Sequence, residues 1–134
     1  MELSKWDQRY LDLAQHVSTW SKDPFTLVGA VITHDNKIVS VGFNGFPRKI
    51  ADDERLRDRE LKNELVIHGE MNAYLSAKVK PPEFTLYTYP LIPCPRCAVF
   101  LVEAGLQKVV APMANRYGLS RSLFLEANVE LFEV

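Results

Sequence analysis

Two short motifs constrain this chain more than any other feature of its sequence. The first places His68 two positions before Glu70, and the second is a Pro-Cys-Pro-Arg-Cys run that contains Cys94 and Cys97. One imidazole and two thiols are ligands that zinc prefers, so a fold that uses them must bring the two motifs together. Three protein ligands leave one position of a tetrahedral ion open, which is typical of catalytic zinc sites.

The motifs also predict local structure around the metal. Pro95 is tolerated in the first turn of a helix, which would place Cys94 and Cys97 at a helix N-terminus, where the helix dipole favours thiolates. His68 and Glu70 point away from each other within a regular helix. Their helix must therefore begin inside the motif if both side chains are to face the metal.

Each part of this pattern has a simpler interpretation when it is taken alone. A Cys-x-x-Cys pair also serves as a redox pair or as half of a structural site. A lone histidine is more often packed or exposed than bound to metal, and a lone glutamate in a helix is usually solvated. The order and spacing of all four residues together favour the metal site.

Helical and β-branched apolar segments alternate along the rest of the chain. They predict the order α-β-β-α-β-α-β-α-β and an α/β sandwich with a mixed sheet, in one domain over residues 1–134. Turn-forming residues at 34–37 predict an antiparallel hairpin, and the later strands are expected to run parallel. The charged segment 48–66 is expected to be ordered and mostly exposed. The predicted helices cover 4–20, 68–78, 94–104 and 119–127, and the predicted strands cover 27–33, 38–43, 84–89, 106–111 and 129–132.

Composition excludes several classes of protein. With 47% hydrophobic residues, 25% charged residues and a net charge of −1, the chain is typical of a soluble globular protein and lacks the basic character of a binder of long nucleic acid. No apolar run approaches the length of a membrane span, and the N-terminal sequence lacks the pattern of a secretory signal. Only two cysteines are present, which favours a reducing cytoplasm in which both thiols are free to bind metal.

The metal motifs and several segments beyond them resemble the deoxycytidylate deaminases. The sequence at 42–48 is similar to their GYNGFPRG segment, 68–73 to HAExNA, 85–87 to the TLY that precedes PCxxC, and 23–30 to DPSTKVGA. The resemblance covers roughly residues 4–112. It implies the cytidine deaminase-like three-layer α/β/α sandwich with a central five-stranded mixed sheet. It also implies zinc-dependent hydrolysis of dCMP to dUMP and ammonia, which supplies dUMP for thymidylate synthesis.

The resemblance implies a role for each residue of the catalytic centre. It assigns zinc to His68, Cys94 and Cys97, and proton transfer to Glu70. Zinc makes hydroxide available near neutral pH, and a carboxylate placed beside it can take a proton from the water. The same carboxylate can return that proton to a ring nitrogen and then to the leaving amine. Glu70→Gln is therefore expected to retain zinc and to lose nearly all turnover.

Other residues are implied in binding the nucleotide. Asn44 matches the family asparagine near the sugar, although an Asn-Gly pair is also a common turn. The remaining substrate candidates are Thr26, Gly69 through its backbone N–H, and Tyr117, for which packing is favoured over a hydrogen bond to phosphate. In the family, the segment that corresponds to Gly42, Asn44 and Gly45 also binds a regulatory nucleotide, with dCTP and Mg²⁺ activating and dTTP inhibiting. Family members are often hexamers.

This chain departs from the family pattern at three positions. Gly69 replaces the usual alanine but keeps the backbone N–H, so a small effect is expected. Phe25 and Leu27 replace the serine and lysine of DPSTK, so either they are core or interface residues or another cation must bind the phosphate. The available cations are Arg48, Lys49, Arg116 and Arg121.

Three kinds of function remain to be separated. The leading hypothesis is a deaminase of a small nucleotide, with dCMP preferred over other cytosine nucleosides and nucleotides. A deaminase of nucleic-acid bases, such as a tRNA adenosine deaminase, shares the zinc motif, but the charge balance and the 42–48 segment argue against it. A zinc-stabilised binding module without activity would not require Glu70 or an open metal position. Trp6 and Trp20 could serve a subunit interface or complete the core.

Overall fold

A mixed five-stranded sheet forms the centre of the computed structural model, which describes residues 3–134. The strands are β1 (Gly29–His34), β2 (Lys37–Phe43), β3 (Phe84–Tyr89), β4 (Leu106–Ala111) and β5 (Glu130–Glu133). Their order across the sheet is β2-β1-β3-β4-β5. Strand β1 is antiparallel to both of its neighbours, whereas β3, β4 and β5 run parallel. The predicted mixed sheet and its strand directions are confirmed.

Helices cover both faces of this sheet. They are α1 (Lys5–Ser18), α2 (Arg59–Leu65), α3 (Gly69–Ser76), α4 (Pro95–Ala104) and α5 (Gly118–Glu126), and a short 3-10 helix spans Glu54–Arg57. On one face, Tyr10 and Ala14 of α1 pack with Val31 of β1. On the other face, Ile32 of the same strand belongs to a cluster with residues of α3, α4 and α5. Because neighbouring strand residues point to opposite faces, one strand contributes to two cores, and the three-layer sandwich is confirmed.

The first helix begins where its sequence predicts. The Ser4 side chain accepts a hydrogen bond from the backbone N–H of Asp7, and the Asp7 carboxylate accepts one from the backbone N–H of Ser4. This reciprocal pair is a capping box, which satisfies two donors that the helix end would otherwise leave free. Trp6 and Trp20, the two aromatics considered for an interface, are 42% and 48% exposed.

The turn between β1 and β2 confirms the predicted hairpin. Asp35 and Asn36 have φ angles of 50° and 60°. Positive φ at both central residues is the geometry of the tight turns that suit the twist of paired strands, and asparagine and aspartate tolerate it. Among the described residues, no helix has the length and apolar character needed to cross a membrane.

One segment prediction requires correction, and a second agrees with the structure except at two residues. The first strand begins at Gly29 rather than at Leu27, because the backbone of Val28 is bonded to Asn44: its N–H donates to the Asn44 side chain, and its carbonyl accepts from the Asn44 N–H. The segment 48–66 is ordered and mostly exposed as expected, but it buries Leu56 and Lys62. A charged sequence run gave no indication that one of its lysines is internal.

Candidate active site

The two sequence motifs meet at the starts of neighbouring helices. The ligand atoms of His68, Cys94 and Cys97 all lie within 4.8 Å of one another. His68 Nδ1 is 3.4 Å from Cys94 Sγ and 3.2 Å from Cys97 Sγ. One nitrogen and two sulfurs at this separation fit the donor set and size of a zinc site that keeps its fourth position open. In residues 3–134, no other group of at least three His, Cys, Asp or Glu residues comes together in this way.

Helix boundaries give the motif its geometry. His68 is the N-cap of α3, with extended backbone angles of φ −67° and ψ 151°, and Cys94 is the N-cap of α4. Because α3 begins only at Gly69, His68 and Glu70 are released from the regular helical arrangement that would separate them. Pro95 occupies the first turn of α4, and Cys97 follows it on the same helix. The expectation that the helix begins inside the first motif is confirmed.

The three ligand side chains shift one another's pKa values. A hydrogen bond from Cys97 is the main reason that the pKa of Cys94 is lowered to about 4, and His68 lowers it further. The pKa of Cys97 is raised, chiefly because its thiol donates that hydrogen bond. Hydrogen bonding to Cys94 raises the pKa of His68. A site that holds a thiolate in this way suits a cation that displaces the remaining protons.

Glu70 lies beside the cluster without belonging to it. Its side chain is buried, with 4% of the residue exposed, and burial raises its pKa to about 7. The nearby His68 acts in the opposite direction. A carboxyl group with a pKa near neutrality can both accept and donate a proton, which is the property that acid–base catalysis requires.

The cluster opens into a cleft with a volume of about 460 Å³, within the size range of pockets for small ligands. Three segments contribute many of the polar and charged side chains that line the cleft: the loop before β1, helix α2, and the residues that lead into α5. The lining residues include Thr26, Asn44, Arg59, Lys62, Asn63, His68, Glu70, Cys94, Arg116 and Tyr117.

A buried network fixes one wall of the cleft. The Asp23 carboxylate accepts hydrogen bonds from the backbone N–H groups of Phe25 and Thr26 and from the Asn44 amide. Asn44 also donates to the Thr26 carbonyl at 2.9 Å, and its oxygen accepts from Val28 at 2.9 Å. Both amide protons of Asn44 are thus engaged, and only its oxygen retains a free lone pair.

Lys62 completes this network from α2. Its ammonium group lies 2.8 Å from the Asp23 carboxylate, and the two side chains are 8% and 0% exposed. The pair joins α2 to the wall that contains Asn44. Sequence reasoning did not identify Lys62, Arg59 or Asn63 as cleft residues. The segment 58–62 also resembles the family, but neither that resemblance nor the charged run 48–66 reveals that these side chains line the cleft.

Gly69 and Tyr117, two of the substrate candidates, differ in their relation to the cleft: Tyr117 lines it, whereas Gly69 is buried at the start of α3. A Cβ atom at Gly69 would lie 3.0 Å from Val28 Cγ1 and 3.2 Å from the Val28 carbonyl, so the family alanine would fit tightly here. Tyr117 packs against the core, as the favoured interpretation of this residue predicts, and it also lines the cleft. Its φ of 63° is uncommon for a residue other than glycine, asparagine or aspartate, and such strained residues concentrate at functional sites.

The predicted regulatory residues do not share one surface. Asn44 lines the catalytic cleft, whereas Gly42 and Gly45 line a second groove of about 800 Å³ beside β2. A Cβ atom at Gly42 would lie 2.2 Å from the backbone nitrogen of Ala73, so close packing of β2 on α3 already requires glycine there. Gly45 has open space around it.

Of the four cations considered for the phosphate, only Arg116 lines the catalytic cleft. Arg48 lines the second groove, and Lys49 is exposed and lines neither. Arg121 is bound to both carboxylate oxygens of Glu133. Arg48, Lys49 and Arg121 are therefore poorly placed to serve that role, because each lies outside the cleft or is already paired.

A buried carboxylate beside a three-ligand zinc site on this sandwich defines the class of zinc-dependent hydrolytic deaminases. The sequence pattern described as "Cytidine and deoxycytidylate deaminase zinc-binding region" matches residues 4–113. The chain belongs to the cytidine and deoxycytidylate deaminase family.

Relatives from other organisms support this membership. A protein of Aliivibrio fischeri, described as an uncharacterized deaminase in the luxG 3′ region, is 40% identical, and the match covers 96% of this chain and 93% of that protein. A probable deoxycytidylate deaminase of Caenorhabditis elegans is 41% identical over 78% of this chain and 56% of its own length. The crystal structure of a dCMP deaminase from the cyanophage S-TIM5, in complex with dCMP and dUMP, superposes with a TM-score of 0.84 at 22% identity over the whole of both chains. The cytidine deaminase-like fold is thereby confirmed.

Proposed function

We propose that this protein hydrolyses the amino group of dCMP and forms dUMP and ammonia. The observation that carries the proposal is the buried Glu70 beside the cluster of His68, Cys94 and Cys97, at the inner end of a cleft of nucleotide size. The names of several relatives support the choice of deoxycytidylate over other substrates.

The chain supplies the proton transfers of this reaction. Zinc, when bound, contributes Lewis acidity that lowers the pKa of a water molecule toward neutrality. Glu70 accepts a proton from the attacking water and donates it to the ring nitrogen beside the carbon under attack. Glu70 then accepts the remaining proton of the former water, which is now on the hydroxyl group of the attacked carbon, and delivers it to the amino group. The carbon–nitrogen bond breaks, and ammonia leaves as the ring carbonyl forms.

Other groups of the cleft hold the substrate in place. The free lone pair of the Asn44 oxygen can accept a hydrogen bond from a sugar hydroxyl, because Asp23 and Thr26 already hold its amide protons. We assign the backbone N–H of Gly69, at the start of α3, to the base carbonyl, since the first N–H groups of a helix have no partner within the helix. Thr26 and Tyr117 complete the substrate contacts in this proposal.

Ammonia release from a set of substrates tests the proposal. We expect zinc-loaded protein to release ammonia from dCMP faster than from dCTP, deoxycytidine, CMP or a tRNA. Release from tRNA alone would favour the base-deaminase alternative. Absence of release from every substrate would favour a zinc-stabilised binding module and would refute the proposed activity.

Glu70→Gln provides the decisive variant. We expect it to bind zinc as the natural protein does, measured by metal analysis, and to lose at least about 10³-fold in kcat, because it cannot transfer a proton. Glu103→Gln is the matched control, since Glu103 is an exposed carboxylate on α4. Substantial turnover by zinc-loaded Glu70→Gln would contradict the assigned role.

We also infer a cytoplasmic, reducing location and an allosteric hexamer from the family resemblance. The second groove is the part of the described surface where Gly42 and Gly45 lie, and the charged residues that line it are Arg48, Lys78 and Asp52. It supports a regulatory nucleotide site for dCTP with Mg²⁺ or for dTTP, with Asn44 acting in the catalytic cleft instead. Rates measured with added dCTP and dTTP, together with light scattering, test the regulation and the hexamer.

A further inference from the structure

Two arginines at the cleft share an arrangement that the catalytic chemistry does not require. The guanidinium of Arg59 lies 4.7 Å from the centre of the Phe25 ring, and that of Arg116 lies 4.9 Å from the centre of the Tyr117 ring. Both arginines are exposed, whereas Glu70 is buried. The arginines therefore lie at the rim of the cleft and the acid–base group lies at its inner end.

Neither guanidinium has an acidic partner within residues 3–134. The third cation of the cleft differs, because Asp23 already balances the charge of Lys62 at 2.8 Å. The rim thus carries two positive charges that no carboxylate of the described chain neutralises. A rim of this kind favours an anionic group on the ligand.

The aromatic platforms explain one departure from the family pattern. Phe25 stands where the resembled segment has serine, and it contributes its ring to the cleft below Arg59. Leu27, which stands where that segment has lysine, does not line the cleft. A planar guanidinium stacked on a ring is partly ordered before a ligand arrives, and its fork of donors matches two phosphate oxygens.

We propose that Arg59, which lies over the Phe25 ring, is a specificity-determining residue that binds the 5′-phosphate of the substrate together with Arg116. The pair makes the site select nucleoside monophosphates over nucleosides. This inference rests on the proposed deamination of dCMP and extends it to the group that distinguishes the nucleotide from its nucleoside.

The test compares dCMP with deoxycytidine in Arg59→Gln. We expect kcat/KM for dCMP to fall about 10- to 100-fold, the factor that corresponds to the loss of a charge-assisted hydrogen bond. For deoxycytidine it should change less than about twofold, since that substrate has no phosphate. Arg57→Gln, the loss of a neighbouring exposed arginine that does not line the cleft, is the matched control and should leave both values unchanged.

Phe25→Ser removes the ring, which also lies 5.3 Å from the ammonium of Lys62, and leaves the charge of Arg59 in place. Removing the ring should lower kcat/KM for dCMP about threefold to tenfold, the range of a cation–π contact, and should spare deoxycytidine. An equal loss for both substrates in either variant would show a merely structural role and would overturn the proposal. An unchanged preference for dCMP in Arg59→Gln, or an equal effect of Arg57→Gln, would also overturn it.

Calorimetric binding of dUMP and of deoxyuridine separates this inference from the proposed reaction. If the natural protein releases no ammonia from dCMP, the proposed reaction is refuted. The phosphate contact would still be supported if the natural protein binds dUMP more tightly than deoxyuridine and if Arg59→Gln weakens that preference. Equal binding of dUMP and deoxyuridine by the natural protein would overturn the phosphate contact even where dCMP is deaminated.

Discussion

Replacing Lys62 with methionine tests whether the buried ion pair holds the cleft wall together. Methionine has a similar length and no charge, so Lys62→Met leaves the Asp23 carboxylate without its cation. The side chain of Asp23 is fully buried, and solvent cannot replace the missing ammonium without rearrangement of the wall.

The structure sets the expected magnitude. Breaking a buried ion pair by removing one partner destabilises a protein by about 3–5 kcal/mol. Asp23 keeps the hydrogen bonds from Phe25, Thr26 and Asn44, which compensate part of the loss. We therefore expect Lys62→Met to lower the free energy of unfolding by about 3 kcal/mol, the low end of that range.

Urea unfolding of zinc-loaded proteins is the appropriate measurement. With a slope of about 2 kcal/mol per molar urea, a loss of 3 kcal/mol lowers the unfolding midpoint by about 1.5 M. Lys22→Met is the matched control, because Lys22 pairs with Asp52 at 3.4 Å with side-chain exposures of 72% and 39%. An exposed pair of this kind contributes about 0–1 kcal/mol.

A comparable midpoint shift in Lys62→Met and Lys22→Met would refute the reasoning, since burial is the property that distinguishes the two pairs. The double variant Lys62→Met with Asp23→Asn refines the test. It no longer buries an unpaired charge, so its destabilisation should be smaller than the sum of the two single effects.

Two further predictions concern stability away from the cleft. Gly42→Ala should destabilise the protein by about 1–3 kcal/mol or more, because its Cβ atom would lie 2.2 Å from the Ala73 backbone nitrogen. Gly45→Ala is the control, because a Cβ atom there meets open space and should change the free energy of unfolding by less than about 0.5 kcal/mol. Equal unfolding midpoints of the two variants in urea would contradict the packing argument. Burial raises the pKa of Asp7, but hydrogen bonds from Tyr87 and Lys108 outweigh it, and the pKa is lowered from its ordinary value of 3.8. Because the pKa of Asp7 is lower in the folded protein than in the unfolded chain, its carboxylate stabilises the folded state above about pH 3.8, and this stabilisation is lost as the pH falls further. In urea unfolding at pH 7, Asp7→Asn should therefore be less stable than the natural protein. The difference in free energy of unfolding between the two proteins should narrow below about pH 3.8. A difference that stays constant with pH would show that the charge of Asp7 contributes nothing.

The metal cluster could be predicted because its chemistry is local. Pro95 at a helix start and the spacing of Cys94 and Cys97 predict the position of both thiols. The placement of His68 outside the helix follows from the need to turn it toward the metal together with Glu70. A few residue types with strict ligand geometry thus defined a long-range contact before any fold was known.

The cleft wall could not be predicted in the same way. The Asn44–Gly45 pair predicts a turn. Only the structure shows that the Asn44 side chain forms hydrogen bonds with the segment that precedes β1. Lys62 lies in a charged run, and its buried ammonium pairs with the carboxylate of Asp23, which is distant in sequence. Charge patterns predict an exposed surface, and they contain no information about which lysine meets a buried carboxylate.

The placement of two ligands at helix N-caps has a consequence for the stability of the catalytic layer. An ordinary N-cap side chain accepts a hydrogen bond from the first turn and stabilises its helix by about 1 kcal/mol, but His68 and Cys94 make no such bond. Both side chains belong to the candidate metal cluster, so a cation held there would link the first turns of α3 and α4. The free energy of metal binding is therefore also free energy of folding for this layer. Metal binding and the joining of the two helices would then be a single equilibrium, so removal of zinc by a chelator would lower the population of the folded catalytic layer.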